Sequence, residues 1–521
     1  MKEDKKSMWT NLKYDLPAGL VVYLVALPLC LGIGLASTNV TGMDGMPNLF
    51  AGIIAGVIGG IVVAAISGSP LGVSGPAAGL VVIVVSAIQT LGSFEAFLLA
   101  VVLAGIIQVV AGYLKAGIVA YYFPSSVIKG MLAAIGIILI LKEIPHALGF
   151  DEDYMGDFDF DEGKGLNTFN TIYYAVLNPA TGAIVISLVS VAILLLFERP
   201  FMKKFGLFKF LPGALFVVLA GIGMNAFFLS AHPDWVMSGK HLVQLPVATG
   251  FAEFFSFFSS PDVSALSNPK VYVTAFTLAI VASLETLLSV EATDKLDPYK
   301  RVTPTNLELK AQGIGNIVSG LIGGLPITQV VVRSSANINS GGRTKMAVIV
   351  HGGILLISAV VIPRYLNLIP LASLAAILLL VGYKLAKVSL FKEMYKLGWS
   401  QFVPFVATIP AIIVTDLLTG IAIGVGFAVF YLARQNYKNS HKKRVETTSS
   451  GQVITLCLSE EVTFLNKGSV LRELSEVPEN SIVIIDGTKS IDIDIDVAEV
   501  IENFKKHTAP LHNITVETQG F

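Results

Sequence analysis

Apolar residues run in long blocks along this chain, from about Leu16 to Leu432, with short polar breaks between them. A helix that crosses a bilayer needs about 20 mostly apolar residues. Runs of that kind stand at 18–38, 47–67, 94–117, 126–143, 177–197, 209–228, 270–290, 344–362, 366–385, 400–416 and 418–434. Three further stretches, 70–91, 306–324 and 326–340, are apolar but interrupted by Gly and Pro. The pattern predicts an α-helical integral membrane protein of about 14 spans. After Arg444 the pattern changes. VITLCLS and SIVIIDG read as strands, and NKGSVLRELSEV, with Leu471 and Leu474 on one face, and VAEVIENFKKH read as helices. That alternation predicts a small α/β domain. The expected boundaries are an N-terminal segment 1–15, a membrane domain 16–436 with halves at 16–228 and 270–436, a linker 437–451, and the α/β domain 452–521.

Charge gives the orientation. With both termini inside, the loops after even-numbered spans should be basic. They hold Arg199, Lys203, Lys204 and Lys209, then Lys295, Lys300 and Arg301, then Arg343 and Lys345, then Lys384, Lys387, Lys392 and Lys396. Lys438, Lys442, Lys443 and Arg444 follow the last run. The acidic loop FDEDYMGDFDFDEGKG (150–165) and the loop 229–268 fall outside. The expected location is the cell (inner) membrane, multi-pass, with cytoplasmic termini. Composition agrees: of 521 residues 54% are hydrophobic and only 14% charged, where soluble proteins carry about a quarter. Net charge is −1, and no nucleic-acid partner is expected. The polar start MKEDKKSMWTNLKYD suggests no cleavable signal peptide. Cys30 and Cys457 fall in different candidate domains, which argues against a disulfide.

Two stretches carry the candidate chemistry. SGSPLGVSGPAAGL (67–80) and SGLIGGLPITQVVVRSSANINSGG (319–342) each combine glycines, a proline and a short polar run. Irregular backbone at membrane depth is tolerated only where it is buried or lines a cavity. Each stretch reads as an extended segment leading into a half-helix, third in its half of the chain. That is the mark of an inverted repeat of about seven plus seven spans. A half-helix N-terminus has unpaired N–H groups and the positive end of a dipole, so two of them make an anion site. The candidate anion-binding residues are Ser74, Gly75, Ala77, Gln329, Val330, Val331 and Arg333. Arg333 could hold the anion or serve as counter-ion to Glu285.

Glu285 lies mid-span in VASLETLLSVEATDKL, with Ser289 four residues on and so on the same helix face. An intramembrane carboxylate is a functional candidate by default. Glu285 and Ser289 form a hard-oxygen site for Na+ as coupling ion, or Glu285 carries a proton. No other cofactor is expected. Lys129 and Lys142 read as snorkelling, His351 as a satisfied packing histidine, and Glu291, Asp294 and Asp297 as solvated.

The chain resembles the SulP (sulfate permease) family of anion transporters over nearly its whole length. The resemblance rests on DLPAGLVVYLVALPLCLGIGLAS (15–37), VSGPAAGL (73–80), FPSSVIKGML (123–132), ELKAQGIGNIVSGLIGGLP, SGGRTK (340–345), PLASLAAILLLVGYKL (370–385) and TDLLTG (415–420). The tail, EVTFLNKGSVLREL then SIVIIDGTKSIDIDID, resembles a STAS domain. The resemblance implies core and gate domains, an anion site between spans 1, 3, 8 and 10, an elevator-type motion and a homodimer. SLETLLSVEATDKL and QGIGN are most similar to the bacterial sodium–bicarbonate symporter branch, whose Na+ ligands correspond to Glu285 and Ser289. That branch has Asp where Glu285 stands and a hydroxyl residue where Ala77 stands. Arg333 instead matches the animal exchangers of the family. Asp492, Ile493 and Asp494 occupy the turn where a regulatory Ser is usual.

The leading expectation is a secondary transporter of bicarbonate or sulfate coupled to Na+ or H+. Dicarboxylate or nucleobase uptake on the same scaffold, an uncoupled anion channel or exchanger, and a membrane sensor acting through its tail are the alternatives. No acid–base pair, metal cluster or nucleophile motif suggests an enzyme.

Overall fold

The computed structural model describes residues 10–38, 49–151, 167–199, 212–245, 247–248, 251–438, 440–448 and 451–520. Most of the acidic loop 150–165, and Lys203, Lys204 and Lys209, lie outside the described residues. Two compact units emerge. The first runs to Lys396 and takes in Phe405–Gly424, and the second comprises Leu397–Pro404 and Val425–Phe521.

Helices occupy the apolar runs of the first unit. They are α1 (Leu12–Thr38), α2 (Leu49–Ile58, continued by a π turn at Gly59–Val63), α3 (Val81–Leu91), α4 (Phe94–Tyr113), α5 (Ser125–Leu148), α6 (Thr168–Leu177), α7 (Thr181–Glu198), α8 (Gly213–Ala231) and α9 (Pro269–Leu296). After these come α10 (Thr305–Leu321), α11 (Val331–Asn339), α12 (Met346–Val361), α13 (Leu371–Leu385) and α14 (Val388–Lys396), then α15 (Trp399–Val414) and α16 (Leu417–Lys438), each of which belongs in part to the second unit. Among the described residues, 7 helical segments are long and apolar enough to cross a membrane. Leu188, Val273 and Phe430 are more than half exposed on such helices, as side chains covered by lipid would be.

Local chemistry sets the helix ends. Gly92 (φ 79°) follows α3 and Gly149 (φ 82°) follows α5, both left-handed, the usual glycine role at a helix C-terminus. The Ser93 side chain accepts from Ala96 N at 3.1 Å and starts α4. The stretch 306–324, expected to be interrupted, is continuous helix as far as Leu321, in α10, and the break begins at Ile322. Close helix crossings use glycine: a Cβ built on Gly313 of α10 would lie 2.6 Å from Gly105 O of α4.

The second unit contains a four-stranded sheet of β3 (His441–Thr448), β4 (Gly451–Leu458), β5 (Ile482–Asp486) and β6 (Thr515–Gln519), in that order. The first pair is antiparallel and the others parallel, with α17 (Lys467–Ser475) and α18 (Ile495–Asn503) in the crossovers. Leu456, Val483, Ile485, Val470, Leu474, Val497 and Ile501 form its core. The segment 437–451 holds the end of α16 and strand β3. Its charged side chains, Lys442 to Glu446, hid a strand from the apolar pattern. Val470 and Leu474 make the buried face of α17, and Leu471 is exposed, because residues four apart share a helix face.

Candidate functional site

The two broken stretches meet. Ser74–Pro76 forms β1 and Ile327–Gln329 forms β2, an antiparallel ribbon with Ser74 opposite Gln329 and Gly75 opposite Thr328. Val330 N donates to Val73 O at 2.9 Å and extends the pairing. Extended backbone buried here must find partners elsewhere. Asn316 supplies two of them: its Oδ1 accepts from Ile327 N at 2.6 Å and its Nδ2 donates to Ile327 O at 3.1 Å. The Ser334 hydroxyl accepts from Val73 N at 2.9 Å, and Asn337 Nδ2 donates to Leu71 O at 3.0 Å.

Each strand delivers a helix start. Ala77 is extended and leads through a tight turn at Ala78–Leu80 into α3. Val330 is extended and is the N-cap of α11, with Val331 its first residue. Neither Ala77 nor Val330 caps the helix with a side chain. The ribbon therefore carries, at its two ends, backbone N–H groups and positive dipole ends without a capping oxygen. α1 and α9 pack against these elements.

Glu285 and Ser289 sit on α9, both buried. Glu285 reaches the start of the α3 segment: a Cβ on Gly79 would lie 3.0 Å from its Oε1. Its Oε2 is buried without a partner. One turn on, the Ser289 carbonyl accepts from Thr293 Oγ1 at 2.6 Å and from Gln329 Nε2 at 3.4 Å. Gln329 Nε2 also donates to Thr293 Oγ1 at 3.0 Å. Thr328 Oγ1 and Gln329 Oε1 are buried without partners. A buried, orphaned carboxylate oxygen is a hard donor of the kind Na+ takes.

Arg333 corrects one expectation. It is not a counter-ion to Glu285; no ion pair joins them among the described residues, and the guanidinium lies behind β1 instead. Nη2 donates to Pro76 O at 3.4 Å, and Nη1 has no hydrogen-bond partner. A Cβ on Gly75 would collide with Nη1. The residue is 1% exposed, so a positive charge without a carboxylate stands directly behind the ribbon.

Other residues also differ from expectation. Asp297 is buried and paired with Arg301 at 2.7 Å, rather than solvated. Asp294 accepts from Thr303 N and Oγ1, each at 2.7 Å. Lys142 is buried. Lys129 reaches Glu393 at 2.6 Å. His351 is fully buried with neither ring nitrogen partnered, so it is not a satisfied packing histidine. Cys30 and Cys457 are free thiols. Reading the sequence also missed a polar stripe on α10: Glu308, Gln312 and Asn316 are spaced by four and fully or almost fully buried. Their spacing within ELKAQGIGN was the available signal.

A many-helix protein with a buried ribbon, two uncapped half-helices and an intramembrane carboxylate belongs to the class of membrane transporters rather than enzymes. Comparison with known proteins makes the class specific. The sulfate permease family model matches residues 12–408, and the chain belongs to that family. Over 523 aligned residues it is 26% identical to the putative sulfate transporter YvdB of Bacillus subtilis, covering 97% of this chain and 92% of that protein. It is 26% identical to the bicarbonate transporter BicA of Picosynechococcus, covering 90% and 78%. The solved transmembrane domain of a cyanobacterial BicA is similar at a TM-score of 0.55 and 25% identity, covering 80% of this chain and 98% of that one. Murine Slc26a9 in its inward-facing state shares the fold, with a TM-score of 0.64 at 17% identity, covering 97% and 85%.

Proposed function

We propose that this protein is a secondary active transporter of a small inorganic anion, bicarbonate or sulfate. The observation that carries the reading is the β1–β2 ribbon, with an uncapped helix start at each end and Arg333, whose Nη1 has no partner, behind it. Backbone N–H groups, two dipole ends and one guanidinium favour an anion. Ser74, Gly75, Ala77, Gln329, Val330 and Val331 form the anion's surroundings. Glu285 and Ser289 take the coupling ion, Na+ or H+. In this reading about 14 spans form two inverted repeats that divide into core and gate domains, and the core moves as an elevator. The chains pair as a homodimer in the cell membrane with both termini cytoplasmic, and the tail is a STAS-like domain.

The test is uptake of labelled bicarbonate and of labelled sulfate into proteoliposomes, with and without Na+ and pH gradients. Gradient-driven accumulation of either anion is expected. Uptake that ignores both gradients would make the protein an uncoupled channel or exchanger. Uptake of dicarboxylates or nucleobases alone would overturn the anion assignment.

A further inference from the structure

Glu308 is a fully buried carboxylate of the first unit that the proposed coupling site does not use. It is 0% exposed on α10. The Ser67 hydroxyl donates to its Oε2, and Gln312 Nε2 donates to its Oε1 at 2.8 Å. Among the described residues no lysine, arginine or histidine forms an ion pair with it. The charged groups that face it are Asp294 and Lys345, of opposite sign. Lys345 donates to Ala65 O at 3.1 Å, and Asp294 is engaged by Thr303.

The Gln312 nitrogen that touches Glu308 also donates to Ser74 Oγ, at 2.6 Å. Gln312 Oε1 is buried without a partner. A primary amide offers two N–H donors on one side and a carbonyl acceptor on the other. Here both donors are committed, one to the carboxylate and one to Ser74. The Ser74 hydroxyl is thus an acceptor toward Gln312, and its own proton is free. Protonating Glu308 makes it a donor. Gln312 can then turn by half a rotation and present Oε1 to both neighbours. In that state the Ser74 proton is consumed by the amide.

We propose that Glu308 is a proton-sensing positioning residue for the anion site: through Gln312 its protonation state decides whether the Ser74 hydroxyl proton is available to a bound oxyanion. The carboxylate form leaves that proton available, and the acid form withdraws it. One proton passes from water to Glu308, and otherwise only hydrogen bonds change. Anion binding therefore strengthens when Glu308 is ionised and weakens when it is protonated. This inference rests on the anion-transport reading above.

The experiment measures KM against pH in proteoliposomes. The probe is sulfate or bicarbonate, whichever the unmodified protein carries, with bicarbonate concentration corrected for its own ionisation. The expected result is a KM that rises about tenfold to a hundredfold on the acid side, the worth of one hydrogen bond to a charged ligand. Glu308→Gln should hold KM at the raised value, and Gln312→Ala, which leaves no carbonyl to take up the Ser74 proton, should hold it at the lower value; neither should show a step in pH, and the double variant should match Gln312→Ala. Ser74→Ala should hold KM at the raised value without a step, with Ser74→Thr restoring the step. A wild-type pH step in Glu308→Gln or in Gln312→Ala overturns the proposal. If Glu308→Gln fails to fold, Ser74→Ala decides, since a step that survives there is equally fatal.

A second readout needs no transport. The protonated carboxyl of Glu308 should give an infrared C=O band that titrates in purified protein, vanishes in Glu308→Gln and shifts in Gln312→Ala. Absence of any such band overturns the inference. Failure of the unmodified protein to carry either anion would sink the transport reading, while the band would still report on Glu308 and Gln312.

Discussion

Glu285 lies against Gly79. A Cβ at Gly79 would stand 3.0 Å from Glu285 Oε1, and Oε2 has no partner. The carboxylate of α9 thus meets the first turn of the half-helix, where the dipole favours negative charge. One oxygen is left for a cation or a proton. Glu285→Gln keeps the size and removes the charge. Gradient-driven uptake should fall by at least about tenfold, with the variant still folded, because the coupling proposed above runs through this carboxylate. Uptake of sulfate and bicarbonate under Na+ or pH gradients measures it. Wild-type stimulation by a gradient in the variant would remove Glu285 from the coupling role. Gly79→Ala, which needs the space that the carboxylate occupies, should show a milder loss of the same kind.

Arg333 makes a separate prediction. Its Nη1 is buried beside Gly75 without a partner, and no carboxylate among the described residues pairs with it. Removing that charge should weaken a dianion more than a monoanion, because the Coulomb term scales with ligand charge. Arg333→Gln should raise KM for sulfate by about tenfold or more, and for bicarbonate by less. Gly75→Ala should resemble it, since the new methyl group displaces the guanidinium. Equal effects on both anions would point to a packing role.

The membrane architecture was legible because apolar runs are long and Gly–Pro breaks are rare. Leu16–Leu432 reads directly as spans, and the two irregular stretches stood out well enough to place Ser74 and Gln329 in one site. Their exact pairing in the β1–β2 ribbon was not legible, since three-residue strands carry no period. Arg333 was misread as an alternative partner for Glu285 because both are buried charges. Spacing along a chain cannot say that one faces α3 and the other the back of β1. Strand β3 was missed for the opposite reason: its charged exterior face hides it. The stripe Glu308–Gln312–Asn316 was written plainly at intervals of four, yet it sits within a helix whose glycines drew attention to packing instead.

Asp151, in the loop after α5, binds two histidines. His146 Nδ1 and His241 Nδ1 each lie 2.6 Å from one of its oxygens. Burial alone would push the carboxyl up, but the hydrogen bonds and charge of the two histidines outweigh it and hold Asp151 below its ordinary value. A depressed carboxyl contributes stability that is fully present above its unfolded value, about 3.9, and is lost as pH falls through the folded value. Asp151→Asn should therefore cost about 1–3 kcal/mol near neutral pH, because the amide keeps one acceptor oxygen and turns its NH2 donor toward the other histidine. The cost should shrink on acidification below about pH 4, where the unmodified protein loses the same contribution. Thermal melts of both proteins in detergent across pH test this. A gap that stays constant down to the acid limit would deny Asp151 its ionised role.

The crossing of α4 and α10 is set by two glycines that touch backbone to backbone. A Cβ on Gly313 would lie 2.6 Å from Gly105 O, and one on Gly105 would lie 2.5 Å from Gly313 O. Neither neighbour is a flexible side chain that could swing aside, so the helices themselves would have to separate. α10 carries Asn316, which holds both backbone groups of Ile327, and so any separation reaches the ribbon. Gly313→Val should cost about 1–3 kcal/mol through overpacking, lower the melting temperature in detergent and reduce uptake in step. Gly353→Ala on α12 is the control: a Cβ there meets nothing within 4 Å. With no clash to offset it, alanine's better helix propensity should leave stability unchanged or raise it by up to about 1 kcal/mol. Equal melting temperatures for the two variants would show that the α4–α10 crossing yields to a side chain and that the glycines are not what fixes it.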